Sequence, residues 1–163
     1  MSQADATACA GALETLIREA LGGAQRLESA LAAERAALED RDAAALQEAG
    51  ARKQDYLSRL DELDGQRRRL LADHGYPADH GGVEAVLADC TAAHALGDLW
   101  RELGNVAERC RDANTANGAI VHLRRRQIGR ALDVLRGAPE GAAPVYGADG
   151  SSGRAGGRAF GSA

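Results

Sequence analysis

Residues 99–136 read LWRELGNVAERCRDANTANGAIVHLRRRQIGRALDVLR, and this stretch decides the fold. Its apolar and small residues recur at alternating steps of three and four, which is the spacing of one face of an α-helix. The spacing begins a little upstream, so the sequence predicts a single helix from about Thr91 to Arg136. At about 1.5 Å per residue, about 45 residues span about 70 Å.

A polar motif, NTANG at residues 114–118, lies in the middle of this helix. Asparagine and glycine are poor helix formers, so a break with a turn is the alternative. The apolar spacing continues in phase through Val121, which favours an unbroken helix. Asn114 and Asn117 then share a face, and Gly118 leaves room beside them. The motif predicts a tight helix–helix crossing with an amide-mediated contact.

Two more helices precede this one. The first is predicted over about Thr7 to Glu39, and the second follows Asp40 and Asp42, either of which can cap it. Their connection is short, so they should lie antiparallel. Each spans only about 50 Å, and a short helical piece, Val83 to Ala88, separates them from the last helix. The longer last helix should therefore expose apolar residues near its end: Val121, Ile128, Leu132 and Leu135.

The composition agrees with an all-α fold. Among 163 residues there are 36 alanines and only five aromatic residues, a poor supply for covering a β-sheet. The length suits one domain. Glycine and proline become frequent after Arg136, which predicts a helical domain over residues 1–136 and a flexible glycine-rich tail over 137–163. We expect an elongated antiparallel, coiled-coil-like bundle with a longer C-terminal helix.

Several features point to a cytoplasmic protein. The three cysteines form no CxxC pair, which suits a reducing compartment better than a disulfide framework. The first residues lack the pattern of a signal peptide, and no apolar run has the ~18 residues of a membrane span.

The charge is unevenly distributed along the chain. Residues 121–163 carry seven basic and three acidic residues, whereas the whole chain has a net charge of −4.

Candidate chemical sites are weak. Cys90 and His94 lie four residues apart near His74 and His80, but no second tight pair supports a metal site. Polar residues on the apolar stripes have no nucleophile and base beside them, and we expect them to form a polar layer that fixes helix register. They are Glu34, Lys53 and Arg67. The sequence thus predicts no enzyme activity, no metal and no cofactor.

Several passages together resemble the FlgN family. They are LAAERAAL at 31–38 followed by Asp42 and Leu46, the basic and leucine positions of the second helix, Trp100 with Leu103, NxxNGxIV at 114–121, ALDVLRG at 131–137 and VYGADG at 145–150. The resemblance covers roughly residues 13–150. It implies a cytoplasmic export chaperone for the hook–filament junction proteins FlgK and FlgL, whose C-terminal helical region it covers before secretion.

The resemblance also implies a second partner. Family members deliver cargo to the cytoplasmic domain of FlhA at the export gate, and the tail tyrosine implicated in that docking corresponds to Tyr146. The stripe of Val121, Ile128, Leu132 and Leu135 is the expected cargo site, because an amphipathic helix can lay its apolar face there. A cargo-free homodimer through the same stripe is a further expectation.

Two other functions stay open from the sequence. A structural coiled-coil protein would use the same stripes for self-association. The arginine triplets at 67–69 and 124–126 would serve a nucleic-acid binder, although three consecutive helical residues fan over about 200° and make no flat basic face. We therefore expect neither nucleic-acid binding nor membrane insertion.

Overall fold

The computed structural model describes residues 3–135, and these form four α-helices without a β-strand. Their bounds are α1 Gln3–Asp40, α2 Ala43–Asp73, α3 Gly81–Asp89 and α4 His94–Leu135. By its contacts the chain divides into two units, residues 1–123 and 124–163. The all-α prediction is confirmed, and α4 runs without a break through the NTANG motif.

The connection between α1 and α2 is only Arg41 and Asp42. Arg41 adopts a left-handed backbone conformation, φ 58°, which reverses the chain direction. The Asp42 carboxylate accepts a hydrogen bond from the Ala45 amide at 3.0 Å. This satisfies one of the free amides at the start of α2, as predicted for an aspartate N-cap.

Ion pairs give the direction of α2 relative to α1. Arg59 contacts Glu19 at 2.5 Å, and Lys53 contacts Glu34 at 2.6 Å. An earlier residue of α2, Lys53, contacts a later residue of α1, Glu34, and the later Arg59 contacts the earlier Glu19. The two helices therefore run antiparallel.

In the first unit α4 runs parallel to α1. The Cys110 thiol donates to the Ala24 carbonyl, and the Asn117 amide donates to the Leu31 carbonyl; both pairs are 86 residues apart. A constant separation means that the two helices advance together, so α2 is antiparallel to both of its neighbours.

The core has two buried clusters. One joins the first half of α1 with the end of α2, α3 and the start of α4, and includes Leu13, Ile17, Leu71, Val83 and Leu96. The other joins the middle of α1 to the middle of α4. Many buried positions of α1 are alanines, which let helices approach closely and explain how a chain with few aromatic residues fills its interior.

The loop between α2 and α3 packs tightly against α3. A Cβ atom on Gly82 would lie 1.9 Å from the Pro77 carbonyl oxygen, so this position accepts only glycine. Arg67 of α2 donates to the Asp79 carbonyl oxygen at 2.8 Å and lies over the Trp100 ring at 5.8 Å. One buried arginine thereby connects α2, the loop and α4.

Candidate partner-binding surface

The last helical residues that the structure describes are nearly all exposed. Within 124–135 only Arg124 and Gly129 are half-buried. Ile128 is 61% exposed and Leu135 is 82% exposed, and Leu132 is exposed as well. Side chains of this kind are usually buried. Three of them at helical spacing form an apolar stripe, which we call the α4 stripe: Ile128, Leu132 and Leu135.

Val121 differs from the expectation for this surface, because it is half-buried. It lies one turn after Asn117, where α4 is still packed against α1 in the first unit. Val121 therefore contributes only part of its side chain to any external contact.

Two exposed apolar residues were missed by the sequence reasoning, namely Leu123 and Val134. At about 100° per residue they lie roughly opposite the α4 stripe on a helix wheel. Counting residues on a single stripe could not find them. The signal that could have found them is that residues 123–135 are apolar on two faces, as expected for a helix that can be covered from more than one side.

One exposed arginine, Arg125, lies beside the α4 stripe, whereas Arg126 and Arg130 lie on the opposite face of the helix at about 100° per residue. Arg125, Arg126 and Arg130 are exposed, and none of them forms an ion pair within residues 3–135. An apolar stripe beside the uncompensated Arg125 matches an amphipathic helix with an acidic residue at that edge, since opposite charges speed encounter and fix register.

The NTANG motif forms a polar contact between helices, but not through close approach at its glycine. Asn117 is 3% exposed, and its amide nitrogen donates to the Leu31 carbonyl and to the Glu34 carboxylate, both at 2.9 Å. A Cβ atom on Gly118 would meet nothing within 4 Å. Asn114 is exposed. The expectation that Gly118 permits a tight crossing is therefore wrong; the buried amide of Asn117 makes the contact.

Glu34 is the centre of a polar layer. Besides Asn117 it contacts Lys53 at 2.6 Å, and Lys53 in turn lies 3.5 Å from the Asn114 amide oxygen. This layer connects α1, α2 and α4. The contacts fix the register of α4 against α1, because a shift of either helix would leave the buried Asn117 amide without its partners.

Arg67 does not belong to this layer, contrary to the expectation. It is held about four turns away by Asp64 at 2.7 Å and by the loop carbonyl of Asp79. In the same triplet Arg68 also pairs with Asp64, at 2.6 Å. The third arginine, Arg69, donates to the Gly65 carbonyl oxygen at 3.2 Å. All three arginines of this triplet thus have intramolecular contacts, which argues against their use in nucleic-acid binding.

The cysteines are free and buried. Burial raises the pKa of the Cys9 and Cys110 thiols, so both remain protonated and weakly reactive. Within residues 3–135 there is no group of three or more side chains suited to a metal ion, and Cys90, His94, His74 and His80 form no such group. No helix in this part of the chain is long and apolar enough to cross a membrane.

Tyr146 and the remainder of the predicted tail, 137–163, lie outside the described residues. The export-gate role predicted for Tyr146 therefore stays a prediction from the sequence.

Fold and surface together define an all-α protein with an exposed apolar helix face. A family model described as FlgN protein matches residues 10–154. The chain belongs to the FlgN family, a family of flagellar export chaperones. Searches of curated proteins and of solved structures found no match.

Proposed function

We propose that this protein is a cytoplasmic chaperone for FlgK and FlgL. It binds their C-terminal helical region, prevents premature polymerisation and delivers them to the export gate. The observation that supports the proposal is the exposed α4 stripe, with Ile128 at 61% and Leu135 at 82% exposure, in a chain of the FlgN family.

The physical case rests on apolar burial. Covering a fully exposed isoleucine or leucine side chain stabilises a complex by about 1.5–3 kcal/mol before the costs of association. Three partly exposed residues supply no more than about 4.5–9 kcal/mol, whereas association itself costs about 4–15 kcal/mol. The stripe therefore provides only part of the binding free energy, and the weak binding that follows suits a chaperone that has to release its cargo. No catalytic step or cofactor is involved.

Mutation of the stripe tests the cargo site. We expect Ile128→Asp to weaken binding of a FlgK C-terminal peptide by about tenfold or more, because it places a charge in the apolar contact. Gln127→Asp is the matched control, since it adds the same charge at an exposed position of the same helix. Titration calorimetry with the full chain measures both affinities and the stoichiometry, which should be one to one.

Equal weakening by both variants would mean that charge alone explains the effect, and unchanged binding in both would remove the cargo site from α4.

Self-association is the competing use of the same stripe. Sedimentation of the cargo-free chain would then show mass increasing with concentration, and Ile128→Asp would abolish the increase.

The docking step concerns Tyr146. The proposal assigns it to the cytoplasmic domain of FlhA, because the family resemblance matches it to the tail tyrosine implicated there and tyrosines are common anchors of interfaces. We expect Tyr146→Ala to weaken FlhA binding while FlgK binding is retained, measured by calorimetry with each partner. Loss of FlgK binding instead would contradict this division of roles.

A further inference from the structure

A second apolar surface lies in the first unit and shares no residue with the α4 stripe. A groove with a cavity of about 410 Å³ runs between α2 and α4 over α1. The proposed cargo site uses none of its residues. We call it the α2–α4 groove.

The burial of its lining residues distinguishes a floor from a rim. On α1 the lining includes Ile17, Ala24 and Leu31, which are 2–3% exposed and form the floor. At the rim, Leu57 of α2 is 43% exposed and Ala107 of α4 is exposed. An exposed leucine above an apolar floor gives a partner side chain both a wall and a base to contact.

The shape of the groove favours a helix as its occupant. Its lining runs from Leu16 to Leu31 on α1 and from Lys53 to Arg67 on α2. Stretches of this length correspond to about 20 Å, or about four helical turns. A helix placed there would contact three others, which completes a local four-helix arrangement of the kind that buries apolar stripes efficiently.

The charges around the groove are mostly basic. Its charged lining residues are Lys53, Asp64, Arg67 and Arg111. Asp64 is occupied by Arg67, and Lys53 is paired with Glu34. Arg111 forms no ion pair with any residue of 3–135. The rim therefore carries one uncompensated positive charge, which favours an acidic group on the occupant.

We propose that the α2–α4 groove is a second docking site, which takes an amphipathic helix of a partner protein with acidic residues beside its apolar stripe. Charge disfavours two other occupants, the end of α4 from a second copy and this chain's own C-terminal residues. The exposed end of α4 in a second copy carries Arg125, Arg126 and Arg130, and residues 121–163 as a whole carry seven basic against three acidic residues. Either would bring like charges to Arg111.

The test uses two synthetic helical peptides of about 18 residues. Both have leucines at helical spacing, and the residues beside them are glutamate in one peptide and lysine in the other. The protein is the full chain carrying Ile128→Asp, so that the α4 stripe cannot bind the probe and failure of the cargo proposal does not affect the outcome. We expect the glutamate peptide to bind about tenfold more tightly than the lysine peptide.

Ala107→Trp places a large side chain at the rim of the groove, and we expect it to weaken binding of the glutamate peptide by about tenfold or more. Ala119→Trp is the matched control, because Ala119 is exposed on α4 and does not line the groove. The affinity of this variant for the glutamate peptide should stay within about twofold of the affinity of the protein without it. Arg111→Glu should reverse the preference between the two peptides.

A second pair of variants controls for the possibility that a tryptophan variant fails to fold. Leu57→Gln removes the exposed wall and should also weaken binding, whereas Ala51→Gln, at an exposed position of α2 outside the groove, should not. Circular dichroism melts verify that each variant folds. Equal effects of Ala107→Trp and Ala119→Trp, or equal binding of the two peptides, would overturn the proposal. So would a change in the sedimenting mass of the protein alone on Ala107→Trp, since a second copy would then occupy the groove.

Discussion

Asn117 illustrates what a single residue decides. Its side chain is buried, and a buried amide without partners would destabilise the fold; two hydrogen bonds at 2.9 Å remove that cost. The sequence indicated its face on α4 and its use in a contact between helices. It could not indicate the partner, because the Leu31 carbonyl lies 86 residues away and is defined only once α1 and α4 are in register.

The hydrogen bond of the Tyr76 hydroxyl leads to a prediction about how stability depends on pH. Its hydroxyl donates to the Asp89 carboxylate at 3.1 Å. Burial, followed by this hydrogen bond, raises the pKa of Tyr76 to about 12 from its ordinary value of 10.0. The protonated form is thus favoured in the folded protein, so its contribution to stability is complete below pH 10 and is lost as the pH rises towards 12.

We expect Tyr76→Phe to unfold at a lower urea concentration than the parent protein at pH 8, since it lacks the hydrogen bond. Phenylalanine does not titrate, so the difference between the two proteins should shrink above pH 10. The difference in stability between the two proteins is measured by their urea unfolding midpoints at pH 8, 9.5 and 11. A constant difference across this range would show that the Tyr76 proton is not coupled to folding.

At the scale of elements, the sequence predicted four helices and most of their ends. Asp42 caps α2 as predicted, and α4 passes through NTANG without a break. Local signals suffice here because caps and helical spacing act within a few residues. The role of Gly118 was wrong for the opposite reason, since a close approach depends on where another helix lies.

We expect substitution of two glycines by alanine to change the free energy of unfolding in opposite directions. We expect Gly118→Ala to stabilise the protein by about 0.5–1 kcal/mol, because alanine is the better helix former and its Cβ meets nothing within 4 Å. Gly82→Ala should destabilise it by about 1–3 kcal/mol or more, since its Cβ would overlap the Pro77 carbonyl oxygen. Urea unfolding at neutral pH measures both free energies of unfolding.

Gly104→Ala is the control for this pair, because Gly104 is also on α4 with nothing within 4 Å of a Cβ atom. It should give the same gain as Gly118→Ala. Destabilisation by Gly118→Ala alone would restore the interpretation of the motif as a tight crossing.

At the scale of the whole molecule, burial is concentrated in the first unit. Both apolar clusters lie there, whereas the described residues of the second unit, 124–135, have no fully buried side chain. Protection from hydrogen exchange follows burial and packing, so these two parts of α4 should differ in local stability.

We expect the amides of residues 124–135 to exchange at least about a hundredfold faster than those of residues 13–31, because opening them exposes little additional apolar surface. Exchange measured by mass spectrometry on the free chain provides the rates. Addition of a FlgK C-terminal peptide should slow exchange in 124–135. No slowing there in the bound state would argue against the proposed cargo site.

The sequence by itself determined the helices, an aspartate cap for α2 at Asp40 or Asp42, the family and the apolar stripe near the end of α4, because each of these follows from spacing within one helix or from a pattern along the chain. Only the tertiary structure decided that α4 runs parallel to α1, that Asn117 joins the Glu34–Lys53 layer while Arg67 lies elsewhere, and that a groove opens between α2 and α4. Those features depend on which faces of distant segments meet, and periodicity along one helix carries no information about its neighbour's position.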